Sequence, residues 1–590
     1  MKVIDRLAAL RTFMKHNALA AFIVPSTDPH SGEYVPEYWE TRKWISGFTG
    51  SAGTVVITHD QAGLWTDSRY FIQADQQLKG SGIVLFKDRM PGTPSIAEWL
   101  GEVLPEGSSV GIDGWVNATA VALTLKENLA VRGMQLVATE DPFTQIWPDR
   151  PVLPSACPFI LPISLTGEPC KDKIKRIRQA YQERGAEGLL VSALDEVAWT
   201  LNLRGCDVHC NPVFVSYLFI TNADTTLYIY KEKVNDKLRN YLFEEGVQIK
   251  DYSAVYEDIA SCPLHCLFVP DMTNYALYQA AGHVTRLVRD TSPIVILKAI
   301  KNDTELMGFE NAMRKDGIAM VKFLRWIKEA VNSGQETEIS IDRQLQQFRA
   351  QQEGFKGISF DTIAGYQEHG AIVHYEATQE TAATLHPEGL LLLDSGGQYL
   401  DGTTDITRTI VLGAVSEEQK TDYTLVLKGV IALSKIVFPK GTCGTQLDVL
   451  ARQFMWEKGI NYGHGTGHGV GHFLNVHEGP HQFRMNYVPA QLLPGMTVTN
   501  EPGIYKEGRY GIRIENTMKI VRHAQTEFGE FYRFVPLTIC PIDLEAICVE
   551  MLTAEERDWL NDYHRHVYEI LSPYLEEEEK KWLEKATQKI

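Results

Sequence analysis

Four consecutive leucines, Leu390 to Leu393, run straight into Asp394, and a second apolar strand pattern resumes at Ile406, directly after Asp405. Two strands flanking a Gly-Gly turn are predicted here, the first of them buried. A carboxylate at the end of such a strand has to be paired, protonated or held against a cation, because a bare charge out of water costs several kcal/mol. Asp405 lies 11 residues after Asp394, where the return strand of a hairpin brings its side chain toward the first. Taken alone, a turn or capping role would explain either aspartate equally well.

Two further segments change that balance. Gly463 to His477 holds four histidines and five glycines, His464, His468, His472 and His477 among them. Histidine offers a neutral ligand nitrogen and a proton donor near pH 7, and glycine lets the backbone approach a metal or substrate closely. Glu501 then follows the apolar stretch from Val498, and Arg513 and Glu515 alternate with Ile512 and Ile514, which predicts one polar and one apolar strand face. Two Asp, one His and two Glu at strand ends and edges within 200 residues are the kind of donor set that metal-ion catalysis uses.

The remainder of the chain sets the frame. At 590 residues it has room for three or four domains. The formal charge of -18 disfavours nucleic acid as a partner. Charged residues interrupt the N-terminal apolar stretch, and no apolar run is long enough to span a bilayer, so a protein of the cytoplasm with no membrane partner is expected. Nine scattered cysteines fit a reducing compartment. Cys206-x-x-His209-Cys210 and Cys262-x-x-His265-Cys266 invite comparison with zinc sites, but core thiols are the simpler reading.

An internal repeat is visible. Ala21 to Val24 parallels Gly188 to Val191, Thr54 to Thr58 parallels Tyr217 to Thr221, and Leu64-Trp65 parallels Leu227-Tyr228. Two α/β domains of related fold are predicted at 1–155 and 156–298, divided by the proline-rich stretch from Pro148 to Pro154. A third domain, 299–590, opens on a capping box at Asn302 and Glu305, followed by Phe309, Met313, Met320, Leu324 and Ile327 on one helix face. A helical extension begins near Thr553, with Thr553 and Glu556 as another box. It packs either on its own core or on a partner, and Glu576 to Glu579 reads as a solvated helix face.

In this order the motifs resemble the pita-bread metallopeptidases, and most closely the Xaa-Pro aminopeptidase (aminopeptidase P) family in its long, three-domain cytosolic form. The resemblance extends to Ile45-Ser-Gly-Phe-Thr-Gly-Ser-Ala-Gly53, Trp65-Thr-Asp-Ser-Arg-Tyr70 and Trp199-Thr-Leu-Asn-Leu-Arg-Gly205. It implies a fold of two α/β domains of the creatinase/prolidase N-terminal type and a pita-bread catalytic domain. It also implies metal ligands at Asp394, Asp405, His468, Glu501 and Glu515, with Asp405 and Glu515 bridging two ions. The oxygen-rich donor set points to Mn(II), with Zn(II) or Co(II) as alternatives. His374, His464 and His477 are then active-site histidines, Arg513 a site-facing cation, and Glu501 the group that moves a proton. His472 departs from the family pattern and is expected to sit behind the pocket. The implied activity is release of the N-terminal residue from peptides with proline second, by attack of a metal-bridging hydroxide, in a homodimer. The alternatives are a dipeptidase of prolidase type and a non-catalytic binding member of the fold.

Overall fold

The computed structural model describes residues 1–590 and divides into two compact units, Met1–Pro162 with Glu168–Val295, and Ile163–Gly167 with Ile296–Ile590. In the first unit the expected repeat is two six-stranded sheets of one topology. The first sheet runs Val84–Lys87, Ala62–Thr66, Thr54–Thr58, Ala21–Val24, Ser109–Asp113, Gln135–Thr139. The second runs Gln248–Lys250, Thr225–Tyr228, Tyr217–Thr221, Gly188–Val191, Cys266–Phe268, Arg286–Val288. Each central strand, Ala21–Val24 or Gly188–Val191, pairs antiparallel on one side and parallel on the other. Both are buried along their length, which explains their unbroken apolar character. None of the nine cysteines is in a disulfide, and no cluster of ligand atoms unites the two Cys-x-x-His-Cys segments.

The second unit starts with the helix Asp303–Ala330, which closes its N-terminus by the expected reciprocal contacts of Asn302 and Glu305. The four-leucine strand, Leu390–Ser395, is the middle member of a three-stranded antiparallel sheet between Ile363–Tyr366 and Ile406–Val411. Side chains alternate across it: Leu391 and Leu393 pack with Met320, Phe323 and Ile327 of the long helix, whereas Leu390 joins a cluster with Val426, Leu560 and Tyr563. Both faces are thus covered, and the strand can deliver Asp394 only at its end. A four-stranded sheet, Val437–Pro439, Gly529–Pro536, Asn516–Thr526, Thr497–Asn500, carries Glu501 just past its last strand.

The C-terminal helix Ala554–Leu571 is capped by Thr553 and Glu556 and buries Leu560, Tyr563, Val567 and Leu571 within its own unit. Glu576, Glu577 and Glu578 are exposed as expected, but Glu579 turns inward and its carboxylate accepts from the Glu576 N–H at 3.0 Å. The run is therefore a helix start as well as a solvated face. No helix is long and apolar enough to cross a membrane.

Candidate active site

The hairpin geometry explains how the two aspartates meet. Asp394 pairs in register with Thr407 and Ser395 with Ile406, so Asp405 enters the return strand at the level where Asp394 leaves the first. Both side chains are buried. Glu515 departs from the expectation of a continuous strand face: the strand Tyr510–Arg513 ends before it and Asn516–Thr526 begins after it. At that break the Glu515 N–H donates to the Thr407 carbonyl at 3.1 Å, and its carboxylate accepts from the Thr407 hydroxyl at 2.8 Å. The hairpin and the third acid are so tied directly together.

His468 stands in the short strand Gly467–Gly469, which pairs with Glu478–Phe483. A side chain on Gly467 would strike the Thr499 carbonyl, and one on Gly469 the Glu478 carbonyl, so these two glycines permit the close backbone approach that seats His468. Its Nδ1 lies 2.9 Å from the Gly469 carbonyl and therefore carries the proton. Its Nε2 faces the carboxylates of Asp405 at 3.4 Å and Glu501 at 3.5 Å. Ligand atoms of Asp405, His468 and Glu515 all lie within 4.8 Å of one another. Arg513 donates to Asp394 Oδ2 from Nη2 at 2.6 Å and from Nε at 3.1 Å, while Asp394 Oδ1 is buried with no hydrogen-bond partner.

Four carboxylates with one guanidinium in a buried pocket repel one another. Burial first, then the neighbouring Asp394 and Glu501, hold the Asp405 carboxyl well above its ordinary range. Glu515 is raised by burial and then by Asp405, Glu501 and Asp394. Glu501 is pushed up to about 7 by burial and Asp394, against the lowering effect of Arg513. An imidazole nitrogen among carboxylates, a buried carboxylate oxygen without a hydrogen-bond partner and mutually repelling acids are all accommodated by divalent cations in the same place. The residues present thus fit a metal centre with one imidazole and four carboxylates.

The remaining expected residues gather around this cluster. His477 lies edge-on to His468, with ring centroids 4.5 Å apart, and its positive form would lower Asp405 and Glu501. His464 Nδ1 is 2.7 Å from the Gly465 carbonyl, and its Nε2 is 2.8 Å from the Tyr505 hydroxyl. His374 sits in the turn after Val373, whose carbonyl accepts from Arg513 Nη2 at 3.4 Å. His472 is apart from this group, buried edge-to-face on Phe309 at 5.7 Å. Tyr505 was not predicted. Its oxygen accepts from Arg513 Nη1 at 2.7 Å, which leaves its own proton for His464 Nε2. Burial holds this phenol up at about 12, so it stays protonated. The signal lay in strand parity: Ile504 of Gly503–Lys506 points into the core, which turns Tyr505 the other way.

Comparison with known proteins identifies the family. Residues 308–522 match the model of metallopeptidase family M24, and 530–590 match the C-terminal region of that peptidase. Residues 6–146 and 149–305 each match a creatinase/prolidase N-terminal domain. Xaa-Pro aminopeptidase 1 of Dictyostelium discoideum is 40% identical over 97% of this chain and 93% of that protein. The crystal structure of X-prolyl aminopeptidase from Caenorhabditis elegans, described as a cytosolic enzyme with a di-nuclear active site, superposes with a TM-score of 0.96 at 34% identity, covering 100% of both chains. A Xaa-Pro dipeptidase from Bacillus anthracis, 26% identical with a TM-score of 0.51, covers only 64% of this chain and 99% of its own. Full-length similarity of this kind, carried by two N-terminal domains and a catalytic region, shows that the chain belongs to the Xaa-Pro aminopeptidase family of M24 metallopeptidases.

Proposed function

We propose that the protein is a two-metal aminopeptidase that releases the N-terminal residue from peptides with proline at the second position. The observation that carries this reading is the convergence of Asp405, His468 and Glu515, whose ligand atoms lie within 4.8 Å of one another, with a Glu501 carboxylate oxygen 3.5 Å from His468 Nε2. Asp394, Asp405, His468, Glu501 and Glu515 would hold the ions. Two divalent ions at such a site lower the pKa of water and polarise the scissile carbonyl. The hard, oxygen-rich donor set favours Mn(II) in geometry over Zn(II) or Co(II).

The protein's own groups do the rest. Glu501 accepts a proton from the attacking water and returns it to the leaving proline nitrogen. His374 and His477 bind the substrate carbonyl and stabilise the tetrahedral intermediate, and His464, its Nδ1 held by the Gly465 carbonyl and its Nε2 by the Tyr505 hydroxyl, offers its ring to the proline. Arg513 orients Asp394 through two hydrogen bonds and neutralises part of the acidic charge. Proline in second place provides a tertiary amide without an N–H, so recognition rests on the shape around its ring. A domain division at 1–155, 156–298 and 299–590 is supported by the two separate sheets and the proline-rich segment between them. Location in the cytoplasm is supported by nine cysteines without a disulfide among them and by the cytosolic relative. A homodimer is expected from the family, with light scattering as its check.

The deciding experiment compares Arg-Pro-Pro, Arg-Pro and Arg-Ala-Pro as substrates of the Mn(II)-loaded protein. Free arginine from Arg-Pro-Pro but not from Arg-Ala-Pro supports the proposal. Cleavage confined to Arg-Pro would make the protein a dipeptidase, and cleavage of none would leave a binding role.

A further inference from the structure

The helix Gly444–Trp456 carries Asp448 and Arg452 one turn apart, a spacing ordinarily found on exposed helix faces. Here both are buried, at 2% and 1% exposure. Arg452 Nε donates to Asp448 Oδ2 at 2.6 Å and Nη2 to Oδ1 at 3.4 Å. The other guanidinium protons are directed at the main chain of the histidine-rich segment: Nη1 donates to the Tyr462 carbonyl at 2.7 Å and Nη2 to the His464 carbonyl at 2.8 Å. Nη1 also reaches Asn461 Oδ1 at 3.2 Å, and the guanidinium carbon lies 3.8 Å from the centroid of the Tyr462 ring.

Asp448 supplies a second hold. Its Oδ1 accepts from the Thr466 hydroxyl at 2.5 Å, and the Tyr462 hydroxyl is 2.5 Å from the same Thr466 oxygen. The Thr466 carbonyl in turn accepts from the Glu501 N–H at 2.8 Å. One ion pair thus fixes the chain at 462, 464 and 466, and through 466 it reaches the backbone of Glu501. A buried ion pair adds little net stability over an apolar pair of the same volume, because both charges lose their hydration. What it provides that an apolar pair does not is a planar fork that sets two carbonyls at once.

We propose that Asp448 and Arg452 are positioning residues for the reaction: they hold the His464–His468 segment so that His468 Nε2 faces Asp405 and Glu501 while His464 meets Tyr505. The inference rests on the two-metal reading above for its consequence, but its geometry is independent of substrate. The test uses the full chain with Arg452→Lys, which keeps the charge and loses the fork, and Thr466→Val, which leaves the ion pair intact and removes only the hydroxyl. Thermal midpoint, Mn(II) affinity of the chelated protein by calorimetry, and kcat and KM on Arg-Pro-Pro are measured for each.

For Arg452→Lys the expected result is Mn(II) binding weakened ~10-fold and kcat reduced ~10- to 100-fold, with KM changed less than about threefold. Thr466→Val is expected to move affinity and kcat the same way by about threefold. If both variants keep wild-type Mn(II) affinity and kcat, whatever their thermal midpoints, the proposal is overturned and the pair is only structural. Should Arg452→Lys fail to fold, the Thr466→Val result decides alone. A wild-type chain that binds Mn(II) but cleaves no Xaa-Pro peptide contradicts the enzyme function, while the affinity differences still decide the positioning role; one that binds no Mn(II) contradicts both.

Discussion

Asp113, in the first N-terminal sheet, and Asp405, in the catalytic unit, are both buried carboxylates at strand ends, yet they meet opposite fates. Asp113 ends the strand Ser109–Asp113, accepts from the Trp115 N–H at 2.8 Å, and is pushed up to about 7, chiefly by burial. Asp28 of the same unit is raised to about 6 for the same reason. One proton relieves each of them. Asp405 is crowded by Asp394 and Glu501 as well as buried, and Glu515 shares the same crowding, so no single proton relieves the group. Burial of a largely solitary carboxylate makes a weak acid, whereas burial with crowding makes a group of acids that a cation would relieve.

The sharpest way to break this contrast is Asp405→Asn. The account expects a loss of ~10³-fold or more in kcat on Arg-Pro-Pro with Mn(II) present. It also expects the chelated variant to melt above the chelated wild type, because one of the repelling charges is gone. A variant that lost activity and melted lower without metal would place the role of Asp405 in packing. The next effect in size is metal linkage. Mn(II) at ~100 times its dissociation constant should stabilise the wild type by ~2.7 kcal/mol, seen as a rise in the thermal midpoint that Asp405→Asn largely lacks.

Tyr505→Phe sharpens the comparison from the substrate side. Removing the hydroxyl between Arg513 and His464 should lower kcat ~10- to 100-fold while leaving Mn(II) affinity within about threefold, since no proposed ligand is touched. The smallest effect belongs to Asp113. Its folded pKa lies above the ordinary 3.8, so its contribution is most favourable below that value and is lost as pH rises through about 7. Asp113→Asn should therefore gain stability over the wild type as pH rises from 4 to 8, read from denaturant midpoints. Unchanged stability at both pH values would mean that Asp113 is not the strained acid its surroundings indicate.

Much of this was legible in the residues themselves. The leucine run announced a strand with two covered faces, and the paired strand motifs of the N-terminal half announced two sheets of one topology, because strand burial and order are written in local apolar patterns. The histidine and glycine spacing marked where backbone and ligand nitrogen come close. Less legible was the break that turns Glu515 off the Tyr510–Arg513 strand: alternation of Arg513 and Glu515 with isoleucines describes a continuous strand equally well. Asp448 and Arg452 were hidden for a related reason, since an acid and a base one turn apart describe an exposed helix pair until the fold covers them. Tyr505 joins His464 and Arg513 across separate elements, a meeting that only the fold arranges.

The most direct test titrates Mn(II) into the chelated full-length protein while free arginine released from Arg-Pro-Pro is measured at each addition. The account predicts no release without metal and activity that saturates when two ions are bound per chain. Full activity in the chelated protein, or saturation without bound metal, would contradict the two-metal centre built from Asp394, Asp405, His468, Glu501 and Glu515.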